Sequence, residues 1–163
     1  MLTFMSKKNT GSSRLLMSVF LHSTALIMFI TAAAKMWSAF GGMKVLSAQD
    51  PLTGLSFGYL MLAAGIVELA VTVFCVFSKS IKLRLLAIAW LATNFVVYRI
   101  GLWALGWRKP CNCLGNFTDA LHISPQTADM AMKIVLAYLL IGSYASLFWL
   151  WRQRRKQQAV GSN

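Results

Sequence analysis

Residues 57–77 read FGYLMLAAGIVELAVTVFCVF, and this run decides the fold of the chain. Its twenty-one positions hold one charged residue, Glu68. A helix that crosses the roughly 30 Å hydrocarbon core of a bilayer needs about 20 mostly apolar residues, so the run is long enough to span a membrane. The apolar residues do not alternate with period two, as they would in a membrane β-strand. The run therefore predicts a transmembrane helix.

Three further runs share these properties. Residues 15–34 and 134–151 are uncharged, and residues 85–105 carry one charge, Arg99. Of the 163 residues, 58% are hydrophobic and 12% are charged, and the mean hydropathy is +0.62. Soluble domains are typically about 45–50% apolar and about 25% charged, so an ordinary soluble domain is excluded. We predict an all-α integral membrane protein, a bundle of four transmembrane helices at about residues 15–36, 57–77, 83–106 and 130–151.

The basic residues indicate how this bundle is oriented. Sixteen Lys and Arg against four Asp and Glu give a net charge of +12. Ten of the sixteen lie in the N-terminal segment, the short loop between the second and third runs, and the C-terminal tail, whereas five lie in the two longer loops. The positive-inside rule then predicts that both termini are cytoplasmic. The charge is interpreted as a topology signal, with the lipid bilayer as partner of the tail, and we expect no nucleic-acid binding.

The chain divides into three parts. Residues 1–13 form a basic cytoplasmic segment, residues 14–152 the membrane domain, and residues 153–163 a polar, basic tail. Both end segments have few side chains that could pack against the bundle, and we expect disorder there. Residues 15–34 are longer than the 7–15-residue apolar core of a signal peptide, which favours a retained helix over a cleaved leader. We therefore expect a multi-pass protein of a bacterial inner membrane.

The cysteines indicate thiol and disulfide chemistry. Cys111 and Cys113 follow the third run within KPCNCLG, in a loop that the predicted topology puts on the outer side, where disulfides form and persist. A bridge between cysteines separated by one residue closes a strained ring, and strained, exposed disulfides are labile. The neighbouring Arg108 and Lys109 favour the reactive thiolate form. We predict thiol–disulfide exchange with Cys111 and Cys113 as the catalytic residues.

Other interpretations of this pair stay open. It could be a static disulfide that staples a loop of a non-enzymatic assembly or scaffold protein, or the two thiols could be incidental. It could also belong to a metal-handling site for copper or zinc with His122 or Asp119. Cys75 lies near the other end of the second run, too far from the pair for a disulfide, and we expect a buried packing residue there.

Glu68 and Arg99 are the two formally charged residues inside the runs, where charge is costly. At 1.5 Å per residue they lie about 16 Å and about 9 Å below the same boundary, so we expect an ion pair between their helices. Lys35, near the end of the first run, is another candidate partner for Glu68. A functional interpretation makes Glu68 and Arg99 a polar pocket that binds a quinone beneath the cysteines.

Together these residues resemble the DoxX/MauE family, and most closely its MauE-type, redox-associated branch. The resemblance covers roughly residues 14–151. It rests on the four apolar runs, on Lys35 closing the first, on Glu68 within the second, and on the motif Cys111-x-Cys113-x-Gly115 after the third. It implies electron transfer to or from exported thiols, as in MauE-type maturation of a periplasmic enzyme of methylamine utilisation.

The architecture is also similar to that of the disulfide-generating four-helix membrane enzymes, DsbB and the vitamin K epoxide reductase family. Those enzymes relay electrons through two cysteine pairs to a quinone. This chain has one outward pair and no C-x-x-C motif. The resemblance therefore implies that a periplasmic thioredoxin-like protein or an exported cysteine-containing substrate supplies the second pair.

Overall fold

A computed structural model describes residues 2–40, 49–107 and 124–160. Within these ranges the chain forms helices and turns, with one isolated bridge between Gln49 and Ser56 and no strand. The helices are α1 (Leu2–Ala39), α2 (Phe57–Phe77), α3 (Ile81–Ala104) and α4 (Pro125–Val160). The predicted all-α fold is confirmed.

The first and last helices extend beyond their predicted membrane segments. α1 begins at Leu2 and α4 continues to Val160, so the predicted disorder is wrong for residues 2–13 and 153–160. Hydropathy marks only the stretch that suits lipid, whereas a helix can extend beyond that stretch where no strong breaker such as proline interrupts it. No proline lies between residues 2 and 39 or between residues 126 and 160.

The start of α4 follows its sequence signal. Ser124 Oγ accepts a hydrogen bond from the Thr127 N–H at 3.2 Å, which satisfies one of the free donors of the first turn. Pro125 stands at the first helical position, where its missing N–H costs nothing. The sequence Ser-Pro-Gln-Thr favours both features, because proline fixes a helical φ directly after a capping hydroxyl.

The helices form two antiparallel pairs. α1 packs mainly on α2, and α3 packs mainly on α4, while smaller α2–α3 and α1–α4 contacts join the pairs. Residues 78–80 alone link α2 to α3, and the Arg84 guanidinium donates to the carbonyls of Ser78 and Val76 across this link. We call this end of the bundle the basic end. The opposite end, where α1 and α3 end and α2 and α4 begin, is the loop end.

An apolar core lies between the two pairs. Met28, Leu85 and Ile88 are almost completely buried there. Glycine allows a close approach of α4 to α1, because a Cβ atom on Gly142 would lie 2.2 Å from Cε2 of Phe20. The ring of Phe20 therefore occupies the space that a larger residue at position 142 would need.

The outer surface of the bundle is apolar. At most 33% of any span is buried inside the bundle, and large side chains such as Tyr59, Ile141 and Phe148 are exposed. Such a surface is stable in hydrocarbon and not in water. Four spans are long and apolar enough to cross a membrane, namely Leu15–Ala39, Phe57–Phe77, Ile81–Ala104 and Gln126–Lys156. The architecture is that of a multi-pass membrane protein.

Candidate functional site

An ion pair between α1 and α2 lies inside the bundle. Lys35 Nζ donates to Glu68 Oε1, and only 6% and 5% of the two side chains are exposed. Thr31 Oγ1 lies 3.2 Å from Glu68 Oε2 and donates to it. The ammonium group lies 4.8 Å from the ring centre of Phe95 on α3, within the range of cation–π attraction. Groups from three helices thus stabilise the two buried charges.

Close packing at Gly65 explains why Lys35 is the partner of Glu68. A Cβ atom on Gly65 would lie 3.3 Å from the Ala32 carbonyl oxygen and 3.4 Å from Lys35 Cβ, so α1 and α2 approach closely at this level. Glu68 follows Gly65 by three residues and therefore lies on the same face of α2, one turn further along. The predicted pair between Glu68 and Arg99 is wrong, and the other candidate partner, Lys35, is confirmed.

Arg99 has its own partner, on α4. Its Nη2 donates to Asp129 Oδ1 at 2.6 Å, and Lys133 Nζ lies 2.7 Å from Oδ2 of the same carboxylate. The Arg99 and Asp129 side chains are 23% and 14% exposed, so this pair is less enclosed than Lys35–Glu68. Sequence reasoning misses Asp129 because the residue precedes the apolar run 134–151. The available signal was its spacing of four residues from Lys133, which brings the two side chains together on a helix.

A second cluster that sequence reasoning misses joins residues 50–53, shortly before α2, to α3. Asp50 Oδ1 accepts from the Tyr98 hydroxyl at 2.9 Å, and Oδ2 accepts from the N–H and the hydroxyl of Thr53 at 2.9 and 2.8 Å. Leu52 packs against Gly101, where a Cβ atom would lie 3.0 Å from Leu52 Cδ1. Asp50 is 1% exposed, with both carboxylate oxygens satisfied. Residues 50–53 are therefore docked on the bundle. The Asp50-Pro51 dipeptide, a turn signal, was the available clue.

The chain leaves α3 towards the cysteine pair through a defined turn. Gly106 has φ +72°, and its N–H donates to the Trp103 carbonyl at 3.0 Å, while the Trp107 N–H donates to the Leu102 carbonyl at 3.0 Å. These two bonds form a Schellman motif, which needs the left-handed conformation that glycine adopts without strain. The Trp107 ring then lies 5.9 Å from the ring of Phe57 at the start of α2. The start of the cysteine segment is thus attached to the loop end.

The cysteine pair itself lies outside the described residues. Cys111 and Cys113, together with His122 and Asp119, fall between residues 108 and 123, and their roles stay predictions. In the sequence, Cys111 follows Trp107 by four residues. The segment ends where α4 begins, so both of its ends belong to the loop end of the bundle.

The family model of methylamine utilisation protein MauE matches residues 13–152. The chain belongs to the MauE family. No curated protein and no solved structure matches it significantly. The matched range includes the four apolar runs and both cysteines of the pair, while the wider kinship with DoxX proteins stays a prediction.

In this MauE-family chain, Cys75 is separate from the cysteine pair. It is buried near the basic end of α2, where its Sγ lies 3.8 Å from the Arg84 carbonyl oxygen. Eighteen helical residues separate it from Phe57, a rise of about 27 Å, whereas a disulfide joins Cα atoms about 4.4–6.8 Å apart. The prediction that Cys75 is a buried packing residue is confirmed.

The structure does not bring Glu68 and Arg99 of this MauE-family protein into one shared pocket. Each has an oppositely charged partner on a neighbouring helix. Binding of a quinone by either residue stays a prediction, and we assign no step to it. In the part of the chain that the structure describes, no three His, Cys, Asp or Glu side chains are grouped so that they could hold a metal ion.

Proposed function

We propose that this MauE-family protein exchanges disulfides with exported proteins through Cys111 and Cys113, as a step in the maturation of an enzyme of methylamine utilisation. The family match supports a membrane protein of methylamine utilisation. The observation that carries the proposal is the attachment of the cysteine segment. Trp107 contacts Phe57 where the segment starts, and Ser124 caps α4 where it ends. The described residues on either side of the pair thus lie at the same end of the bundle.

In this proposal the membrane is a bacterial inner membrane and the loop end faces outwards. The excess of ten basic residues over five on the two sides supports this orientation, because basic loops are retained in the cytoplasm. The outer side maintains disulfides, so a labile Cys-x-Cys bridge can be used and regenerated there. The proposed partner is a periplasmic thioredoxin-like protein or an exported substrate that contains cysteines.

The exchange is balanced in atoms and electrons. The thiolate of one cysteine of the pair attacks a sulfur of the partner's disulfide, which forms a mixed disulfide and releases the partner's other sulfur. The second cysteine then attacks the mixed disulfide and releases the first partner sulfur. The pair ends oxidised, and the partner has gained two electrons and two protons. The same steps in reverse oxidise a partner dithiol.

Trapping of the mixed disulfide tests the proposal. The full-length protein carrying Cys75→Ala serves as the parent, so that Cys111 and Cys113 are its only thiols. We expect that one of the variants Cys111→Ser and Cys113→Ser accumulates a reductant-sensitive adduct with an exported protein on non-reducing gels. The double variant is the matched control and should give none. Maleimide labelling of the parent should differ between oxidised and reduced cells.

The alternative functions give other results in the same experiment. A pair that stays oxidised under both conditions and forms no adduct refutes exchange and leaves a structural staple in a scaffold protein. Thiols that resist maleimide until a chelator is added refute exchange in favour of a Cys/His metal-handling loop.

A further inference from the structure

We propose that α4 binds the headgroup phosphate of an anionic phospholipid at the basic end of the bundle. The residues concerned are Phe148, Trp151, Arg152 and Arg155, which we call the headgroup stripe. Their spacing of three, four and seven residues puts them on one face of the helix. All four are exposed, so the face is free to contact lipid.

Aromatic stacking organises this face. The Arg155 guanidinium carbon lies 3.9 Å from the centre of the Trp151 ring, and the Trp151 ring lies 5.8 Å from the ring of Phe148. Stacking on tryptophan restrains a long arginine side chain and leaves its outward N–H groups available as donors. Less side-chain freedom is then lost when an anion binds.

The stripe matches the layers of a bilayer surface. The seven residues from Phe148 to Arg155 rise about 10 Å, which exceeds the roughly 5–7 Å polar layer on each side of the hydrocarbon core. Phe148 therefore suits the hydrocarbon, Trp151 the interface, and Arg155 the phosphates. The exposed residues Ile134 and Ile141 precede Phe148 at seven-residue intervals and continue the same face into the hydrocarbon, where an acyl chain would lie.

Among the residues that the structure describes, no Asp or Glu side chain lies at this end to neutralise the two guanidinium groups. The last acidic residue of the sequence is Asp129, 23 residues before Arg152, a helical rise of about 34 Å. Asp129 is moreover already paired with Arg99 and Lys133. An ionised phosphodiester can accept from two neighbouring guanidinium groups at once. Phosphatidylglycerol offers this phosphate without the ammonium group that neutralises it in phosphatidylcholine.

Lipid binding to the purified full-length protein in detergent tests the proposal. Native mass spectrometry measures the dissociation constants of phosphatidylglycerol and of phosphatidylcholine. The variants are Arg155→Gln and the matched control Arg154→Gln, which removes the same charge one residue away but on a different face of the helix. A basic side chain near an anionic lipid surface contributes about one kcal/mol, or about fivefold in affinity. We therefore expect Arg155→Gln to weaken phosphatidylglycerol binding about fivefold and Arg154→Gln less than twofold.

Three results would overturn the proposal. Equal losses in the two variants would show that only the overall charge of the helix end attracts the lipid. Equal affinities of the wild-type protein for both lipids would remove the preference for an anionic headgroup. Inorganic phosphate that binds with the same dependence on Arg155 would identify a site for the free ion and not for lipid.

Discussion

Lys35 and Glu68 neutralise each other inside the bundle, so removal of one charge leaves the other buried among apolar side chains. We expect Lys35→Met and Glu68→Gln each to lower the free energy of unfolding by about 3–5 kcal/mol, because a buried charge that loses its partner keeps its full desolvation cost. The double variant removes both charges, and we expect it to lie within about 1.5 kcal/mol of the wild type. The coupling between the two sites should therefore be at least about 4.5 kcal/mol, which is about 2,000-fold in an equilibrium constant.

The measurement is unfolding of the purified protein by sodium dodecyl sulfate in mixed micelles, followed by tryptophan fluorescence and circular dichroism. Lys133→Met is the matched control, because it removes the same group from a pair whose lysine side chain is 63% exposed. We expect this control to lower the free energy of unfolding by less than about 1 kcal/mol. A Lys35→Met variant no less stable than Lys133→Met would contradict a buried, mutually neutralised pair. A double variant that loses the sum of the two single losses would contradict it as well.

Three further predictions concern packing and turns, and the same unfolding assay measures each. Gly142→Ala should lower the free energy of unfolding by about 1–3 kcal/mol, because its new Cβ atom would lie 2.2 Å from the Phe20 ring. Adding Phe20→Leu to this variant should recover part of the loss, and no recovery would contradict the contact. Asp50→Asn should lower the free energy of unfolding by about 1–3 kcal/mol. Tyr98→Phe should lower it less, because the tyrosine supplies one donor to the carboxylate and Thr53 supplies two. Equal losses in the two variants would argue against the Thr53 bonds. Gly106→Ala should lower the free energy of unfolding by about 1–2 kcal/mol, because φ at this position is +72°. An unchanged stability would mean that the turn is not left-handed in solution.

Hydropathy was sufficient to predict the four spans, because the bilayer imposes one requirement on every residue of a span. α2 illustrates this, since its observed bounds, Phe57–Phe77, coincide with the apolar run. The ends of α1 were not predictable in this way. Residues 6–14 of α1 read SKKNTGSSR and include no hydrophobic side chain, so their helical state depends on continuity with the span and not on hydropathy.

The partners of the buried charges were harder to predict than their presence. Depth along the helices favoured Glu68 with Arg99, but depth contains no information about which helices pack together. Gly65 determines the partner of Glu68, because it lets α1 approach α2 and puts Lys35 beside the carboxylate. Asp129 lay outside the apolar run, so a search restricted to charges within the runs could not identify the partner of Arg99.

The pairing of charges within the two helix pairs has a consequence for the way the protein enters the membrane. Lys35 and Glu68 belong to the first hairpin, and Arg99 and Asp129 belong to the second. During synthesis α1 and α2 emerge before α3, so the first two charges can neutralise each other while the rest of the chain is still unmade. The ion pair inside each hairpin is therefore complete within that hairpin, and neither pair must wait for the other hairpin before it is inserted into lipid.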